Sequence, residues 1–260
     1  MRIKRLFLLL AFLLFVAIIV MIFRGEFSTC EVVAKKPLTN QTKVLIQYFG
    51  DSTVFGANPR KLNCQVSTSA PGAMAEKFEK KYGQTVLVWN EGIGGTKADY
   101  YLSGEHGSWQ EIMRKSAAKI VIVNWGMNDA WFDPGVSVET YKGQLTALAD
   151  AAKSNGKTII FETPNPISVD KKPFGDQAKA DRLEVLVDAM RQVAAEKKSP
   201  LIDQYKYVKS ISDWKDLIPD GVHPKPELYR LKGEYSAMTI ASIVEAHLAN
   251  KSTLALRIEH

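Results

Sequence analysis

The sequence predicts an α/β domain in which one parallel, five-stranded sheet is covered by helices on both faces. Three observations lead there. From Lys43 onward, strand-like and helix-like segments alternate. The strand-like runs are continuously apolar rather than alternating, as strands covered on both faces must be. And 260 residues, 46% of them hydrophobic and 24% charged, suffice for one sizeable core. Strand–helix alternation demands crossover connections, which lay strands parallel and send helices to both sides.

The first element precedes that domain. Leu6 to Phe23 is an uncharged apolar run of 18 residues. As a helix it spans about 27 Å, close to the hydrocarbon thickness of a bilayer. Arg2, Lys4 and Arg5 precede it, which keeps the N-terminus in the cytoplasm and the remainder outside. An uncleaved anchor over residues 1–24 is the favoured reading. A secretory signal cleaved near Ser28 and Cys30 competes, although its apolar core is usually shorter. Both export the domain. Residues 25–42 show no periodicity and read as a stalk.

The domain proper is expected over 43–250, with a tail at 251–260. Strands are predicted at 43–49, 85–90, 119–125, 157–163 and 200–203. Helices are predicted at about 71–82, 97–116, 138–155, 176–197 and 225–249. Gly83 and Gly156 are natural helix stops, and Pro224 and Pro226 open the last helix. No internal repeat or low-complexity stretch interrupts this order.

The net charge of +6 suggests a nucleic-acid partner, but its distribution argues against one. Arg2, Lys4, Arg5 and Arg24 flank the apolar run; without residues 1–24, 30 basic residues face 28 acidic ones. The domain is nearly balanced and lacks a basic stripe, so nucleic acid is not expected. Cys30 and Cys64 are the two cysteines, and in an oxidising compartment they can pair. Four histidines, two cysteines and no HExxH or paired CxxC give no support for zinc.

In parallel sheets, function collects at the carboxyl ends of strands. After the first comes Gly50-Asp51-Ser52, and after the second Asn90-Glu91-Gly92-Ile93-Gly94-Gly95-Thr96. After the third comes Gly126-Met127-Asn128-Asp129, and before the last helix Asp220-Gly221-Val222-His223-Pro224. Each has a bland explanation. Gly-Asp-Ser ends strands, Asn-Asp makes turns and caps, and a lone His is commonly structural. A dinucleotide loop would need a third glycine where Lys97 stands.

Together the four supply a complete chemistry. A serine hydroxyl needs a base to become a nucleophile. His223 can be that base, and Asp220 can fix its tautomer. The N–H of Ser52, a glycine N–H and the Asn128 amide are donors for an oxyanion. The Gly-x-Ser-x-Gly elbow of α/β-hydrolases is absent.

These blocks, in this order over about Lys43 to Asn250, resemble the SGNH hydrolases, the GDSL-type esterases and lipases. The resemblance implies a three-layer α/β/α, flavodoxin-like fold that works without metal or cofactor. It implies Ser52 as nucleophile, Asn128 and a glycine of the second block in the oxyanion hole, and Asp220 and His223 completing the triad. Two departures stand out. Thr53 follows the serine where the family often has leucine. Gly95 abuts Thr96, where the family often has an intervening residue. Counting from Asn90 selects Gly95, the favoured donor; counting back from Thr96 selects Gly94.

The expected activity is hydrolysis of a carboxylic ester through an acyl-enzyme, outside the cytoplasmic membrane. An O-acyl ester on an envelope glycan or a lipid is the substrate that this location suggests. An acyltransferase with the same triad and a non-catalytic, membrane-tethered binding protein are the alternatives. Trp125, Trp131, Phe132, Tyr100, Tyr101 and Trp109 crowd the third strand end, as core packing or as pocket wall. The loop Thr163-Pro164-Asn165-Pro166 is expected to border the cleft.

Overall fold

The structure, a computed structural model, describes residues 30, 32–131 and 136–256, from residue 250 onward as backbone alone. The apolar run Leu6–Phe23, its basic flanks and Phe132 lie outside the described residues. Among the described residues, no helix is long and apolar enough to cross a membrane. Val33–His260 form the unit that carries the fold.

Strand β1 (Val44–Gly50) leads into a short helix α1 (Ser52–Phe55) and a hairpin of β2 (Ala57–Asn58) and β3 (Lys61–Gln65). There follow α2 (Ala70–Tyr82), β4 (Val86–Gly92), α3 (Trp109–Lys115), β5 (Ile120–Asn124) and α4 (Met127–Trp131). The chain continues through α5 (Val138–Ser154), β6 (Thr158–Glu162), α6 (Gln177–Glu196) and β7 (Leu201–Ile202). It ends with α7 (Gln204–Lys209) and α8 (Pro226–Leu256). The helix starts are chemically marked. Ser69, Ser137 and Asp176 each accept a backbone N–H from the first turn of α2, α5 and α6.

The main sheet has the order β4-β1-β5-β6-β7, and every pairing is parallel. Counted along the chain, its strands run 2-1-3-4-5, the flavodoxin-like order. The chain leaves β1 in one direction to form β4 and returns on the other side to form β5. Gly50, at the end of β1, stands opposite Gly92 on β4 and Asn124 on β5. The connections after β1 and β5 therefore diverge, and a crevice opens past these strand ends.

The central strands β1, β5 and β6 are largely apolar on both faces because each face has its own helical layer. Leu45, Phe49, Val121, Val123 and Phe161 pack with Trp109 of α3, Leu145 of α5 and Leu186 of α6. Val44, Ile46, Ile120, Ile122 and Ile160 pack with Met74 of α2 and Ile240 of α8. Alternate residues face opposite ways, so a strand buried twice reads as an unbroken apolar run.

The structure corrects one predicted helix. Residues 97–108 are turns, and only Trp109–Lys115 is helical. The Trp109 N–H reaches back eight residues to the Tyr101 carbonyl, closing a loop rather than a helical turn. Gly104 and Gly107 take φ of +83° and +93°, which a right-handed helix excludes. The helix α1, the β2–β3 hairpin and α7 are short elements that periodicity over 11–18 residues does not register.

Candidate active site

The turn after β1 is built tightly. A Cβ on Gly50 would lie 2.4 Å from the Asn124 carbonyl, so this strand end approaches β5 only as glycine. Asp51 then caps α1. Its Oδ1 accepts from the N–H and the Oγ1 of Thr53, both at 2.8 Å. The threonine that stands where leucine is common thus has a local partner. Ser52 is the first residue of α1, so its N–H has no acceptor within the helix.

Ser52 Oγ lies 2.9 Å from His223 Nε2. His223 Nδ1 lies 2.8 Å from Asp220 Oδ2, and both side chains are nearly buried. A carboxylate only accepts, so the imidazole hydrogen sits on Nδ1 and Nε2 accepts from the serine hydroxyl. The other carboxylate oxygen, Oδ1, receives the backbone N–H groups of Val222 and His223 at 2.9 and 2.7 Å. Asp220 thereby orders its own loop while it orients the ring.

The second and third blocks are tied to this turn and to each other. Ile93 N–H and Thr96 Oγ1 both donate to the Gly50 carbonyl, at 2.9 and 3.2 Å. The Asn128 amide donates to the Thr96 carbonyl at 2.9 Å. Asp129, beside it, accepts the Ala98 N–H on both carboxylate oxygens, at 3.2 and 3.3 Å. Burial pushes the Asp129 carboxyl up to about 7, and it raises Asp51 as well. Gly94 and Gly95 both border the cleft, and Gly95 takes φ of +79°.

Behind the histidine loop lies a polar layer that motif reading missed. Asn165 is fully buried and donates to the Val222 carbonyl at 3.1 Å. Its oxygen accepts from the ammonium of Lys232, on α8, at 2.8 Å. Lys232 is 1% exposed. Burial lowers its pKa to about 8, against the opposing pull of the Glu162 and Asp51 carboxylates. Glu162 accepts from Tyr48, from Asn124 at 2.8 Å and from Ser236 at 2.6 Å. A lysine in the middle of an apolar helical face was the one available signal.

The strand-end side chains meet in a cleft of about 350 Å³. Ser52, Gly95, Asn128 and His223 line it, and Asp220 sits behind His223. Of the expected aromatics, Trp131 lines the cleft, whereas Trp109 and Trp125 are buried in the core. The loop 163–166 does not border the cleft; it is buried beneath the His223 loop, held there by Asn165. Phe174, which no pattern singled out, forms a wall in its place. Among the described residues, no group of three or more His, Cys, Asp or Glu is arranged to hold a metal ion. Cys30 and Cys64 are both disulfide-bonded.

The family model for the GDSL-like lipase/acylhydrolase family matches residues 48–231. Solved structures share the fold. One is the α/β hydrolase LAE5 from the metagenome of Lake Arreo, 18% identical with a TM-score of 0.61 over 77% of this chain and 96% of that one. A second is the lipase/acylhydrolase from Enterococcus faecalis, 22% identical with a TM-score of 0.59 over 76% and 95%. A third is Axe2, an acetylxylan esterase from Geobacillus stearothermophilus, 19% identical with a TM-score of 0.59 over 76% and 94%. The sequence matches none of the curated proteins.

Proposed function

Because the chain belongs to the GDSL-like lipase/acylhydrolase family and is thus a carboxylic ester hydrolase, we propose that it works through Ser52, His223 and Asp220 by an acyl-enzyme mechanism. The observation that carries this reading is the unbroken relay from Ser52 Oγ to His223 Nε2, at 2.9 Å, and from Nδ1 to Asp220, at 2.8 Å.

Ser52 Oγ bonds the ester carbonyl carbon while its proton passes to His223 Nε2. The oxyanion takes hydrogen bonds from the N–H groups of Ser52 and Gly95 and from Asn128 Nδ2. Asn128 has two amide hydrogens; Thr96 engages one and thereby aims the other. Collapse breaks the bond to the alcohol oxygen, which takes the proton from Nε2 as it leaves. Water then attacks the acyl-enzyme and gives its proton to His223. That proton returns to Ser52 Oγ as the carboxylic acid departs. Asp220 stays ionised and stabilises the imidazolium between the two transfers.

We further infer that the domain acts outside the cytoplasmic membrane. The run Leu6–Phe23 with its basic flank supports this, and disulfide-bonded cysteines suit an oxidising compartment. The substrate is then an O-acyl ester of the envelope, on a glycan or a lipid. The named activity of Axe2 supports testing acetylated sugars first. Fractionation and N-terminal sequencing test the location; a soluble chain beginning near Glu31 would replace the anchor with a cleaved signal.

The mechanism is tested with p-nitrophenyl acetate and a fluorophosphonate. Wild-type protein is expected to hydrolyse the ester and to take one label, on the peptide carrying Ser52. Ser52→Ala, folded by circular dichroism, is expected to do neither. A folded Ser52→Ala protein with full activity overturns the reading.

A further inference from the structure

We propose that Phe174 and Trp131 form the leaving-group subsite of the cleft, and that they select esters whose alcohol is an uncharged ring with a broad apolar face. The inference rests on the roles assigned above to Ser52 and His223 and goes beyond them to the alcohol half of the substrate.

The side of the cleft follows from proton transfer. His223 must hand its proton to the departing oxygen, so that oxygen comes within hydrogen-bond reach of Nε2. The alcohol attached to it has to pass whatever adjoins the imidazole. That neighbour is Phe174, whose ring meets the His223 ring edge-on with centroids 5.7 Å apart. Trp131 continues the wall, 5.7 Å from Phe174 and again at a steep angle of 82°. Both rings are half-buried and both line the cleft. The acyl chain takes the remaining direction of the tetrahedral carbon, and proton transfer does not force it against His223.

This wall is held in place. The Phe174 N–H donates to the carbonyl of Asp220 at 2.8 Å, so the ring is mounted on the triad loop itself. The next loop contact, Ser168 N–H to the Gly221 carbonyl at 2.9 Å, repeats the tie. Trp131 is fastened from behind by Lys179, whose ammonium donates to the Trp131 carbonyl at 2.9 Å and lies 5.5 Å from the ring centroid. A rigid aromatic wall costs a ligand little ordering entropy.

The chemistry of the occupant follows from the lining. Among the described residues that line the cleft, His223 is the one ionisable side chain. A charged alcohol would lose its hydration here without gaining an opposite charge from these residues. Aromatic faces and edges instead reward a flat apolar surface, such as an aryl ring or the C–H face of a sugar.

The test holds the acyl group constant and varies the alcohol. Ethyl acetate and benzyl acetate have alcohols of similar acidity, so their ratio of kcat/KM reports binding of the ring. A methyl xyloside monoacetate separates a sugar source from an aryl one, and 4-(acetoxymethyl)benzoate adds a negative charge to the benzyl ester. Wild type is expected to favour at least one ring ester over ethyl acetate and to disfavour the charged one. Phe174→Leu, which keeps the apolar packing, is expected to reduce the ratio of ring-ester to ethyl acetate kcat/KM by about two- to tenfold. Trp131→Phe should retain most of the preference, and Trp131→Leu should lose it. The proposal is overturned if the Leu variants leave the alcohol preference intact. It is equally overturned if they alter selection between ethyl acetate and ethyl hexanoate instead. Failure of all esters, with no fluorophosphonate labelling, would remove the hydrolase reading beneath it and is recognisable as such.

Discussion

The side-chain amide of Asn128 donates to the backbone carbonyl of Thr96 at 2.9 Å. The bond joins the connection after β5 to the connection after β4, across the end of β1 where Ser52 sits. It fixes which way the amide faces and leaves its second hydrogen for the cleft. Asn128→Ala is expected to leave the Ser52–His223 contact intact and to lower kcat by about 10²–10³. Steady-state kinetics on a short aryl ester measures this. A loss confined to KM would assign Asn128 to ground-state binding instead.

Ser52, His223 and Asp220 are expected to act as one unit. Ser52→Ala should lower kcat to the level left by the oxyanion donors alone. Adding His223→Ala to it should cost almost nothing further. Asp220→Asn should be harmful for a second reason besides charge: both carboxylate oxygens accept, Oδ1 from the N–H groups of Val222 and His223 and Oδ2 from His223 Nδ1, and an amide keeps one acceptor only. Single- and double-variant kinetics give the comparison, and additive losses would separate the residues.

Asp129 predicts a pH dependence of stability. Burial raises its pKa from 3.8 in the unfolded reference to about 7 in the fold. The folded state therefore holds a proton that the unfolded state releases between these values. Stability from this group is complete below about pH 4 and is lost as pH rises to about 7, by up to about 1.4 kcal/mol per pH unit. Asp129→Asn retains an acceptor for the Ala98 N–H and cannot ionise. Urea unfolding should show the variant gaining on wild type between pH 4 and 7 and running parallel to it above.

Lys232 makes the opposite kind of prediction. Its ammonium is the buried cation near Glu162, whose carboxyl burial already raises. Lys232→Met should destabilise the fold by several kcal/mol near neutral pH, because the buried Glu162 carboxyl loses the cation that favours its charged form. The loss should shrink in acid, where Glu162 takes up a proton. Glu162→Gln should recover part of it, and a double-mutant cycle by urea unfolding measures the coupling. The same Lys232 variant should lower kcat, since Asn165 supports the Val222 carbonyl only while its own oxygen is held.

The sequence by itself determined the fold class and the order of the site. Strands covered on both faces are mostly apolar on both, so β1, β5 and β6 were legible as nearly continuous apolar runs without a partner in view. Ser52, Asn128, Asp220 and His223 were legible as residues that the fold brings together, because each follows a strand or precedes a helix and parallel topology gathers those ends. Even the choice of glycine narrowed to Gly94 and Gly95, which both border the cleft. What the tertiary structure decided is whatever depends on a neighbour distant in the chain. Residues 97–108 form a looped segment whose Trp109 N–H closes onto the Tyr101 carbonyl and whose Ala98 N–H is taken by Asp129, 31 residues away. The loop 163–166 supports the cleft from below because Asn165 finds Val222 and Lys232, 57 and 67 residues away. Phe174 belongs to the cleft because its N–H reaches Asp220. Periodicity and turn chemistry act over a few residues. A hydrogen bond between loops satisfies two buried groups whose separation in sequence leaves no local trace.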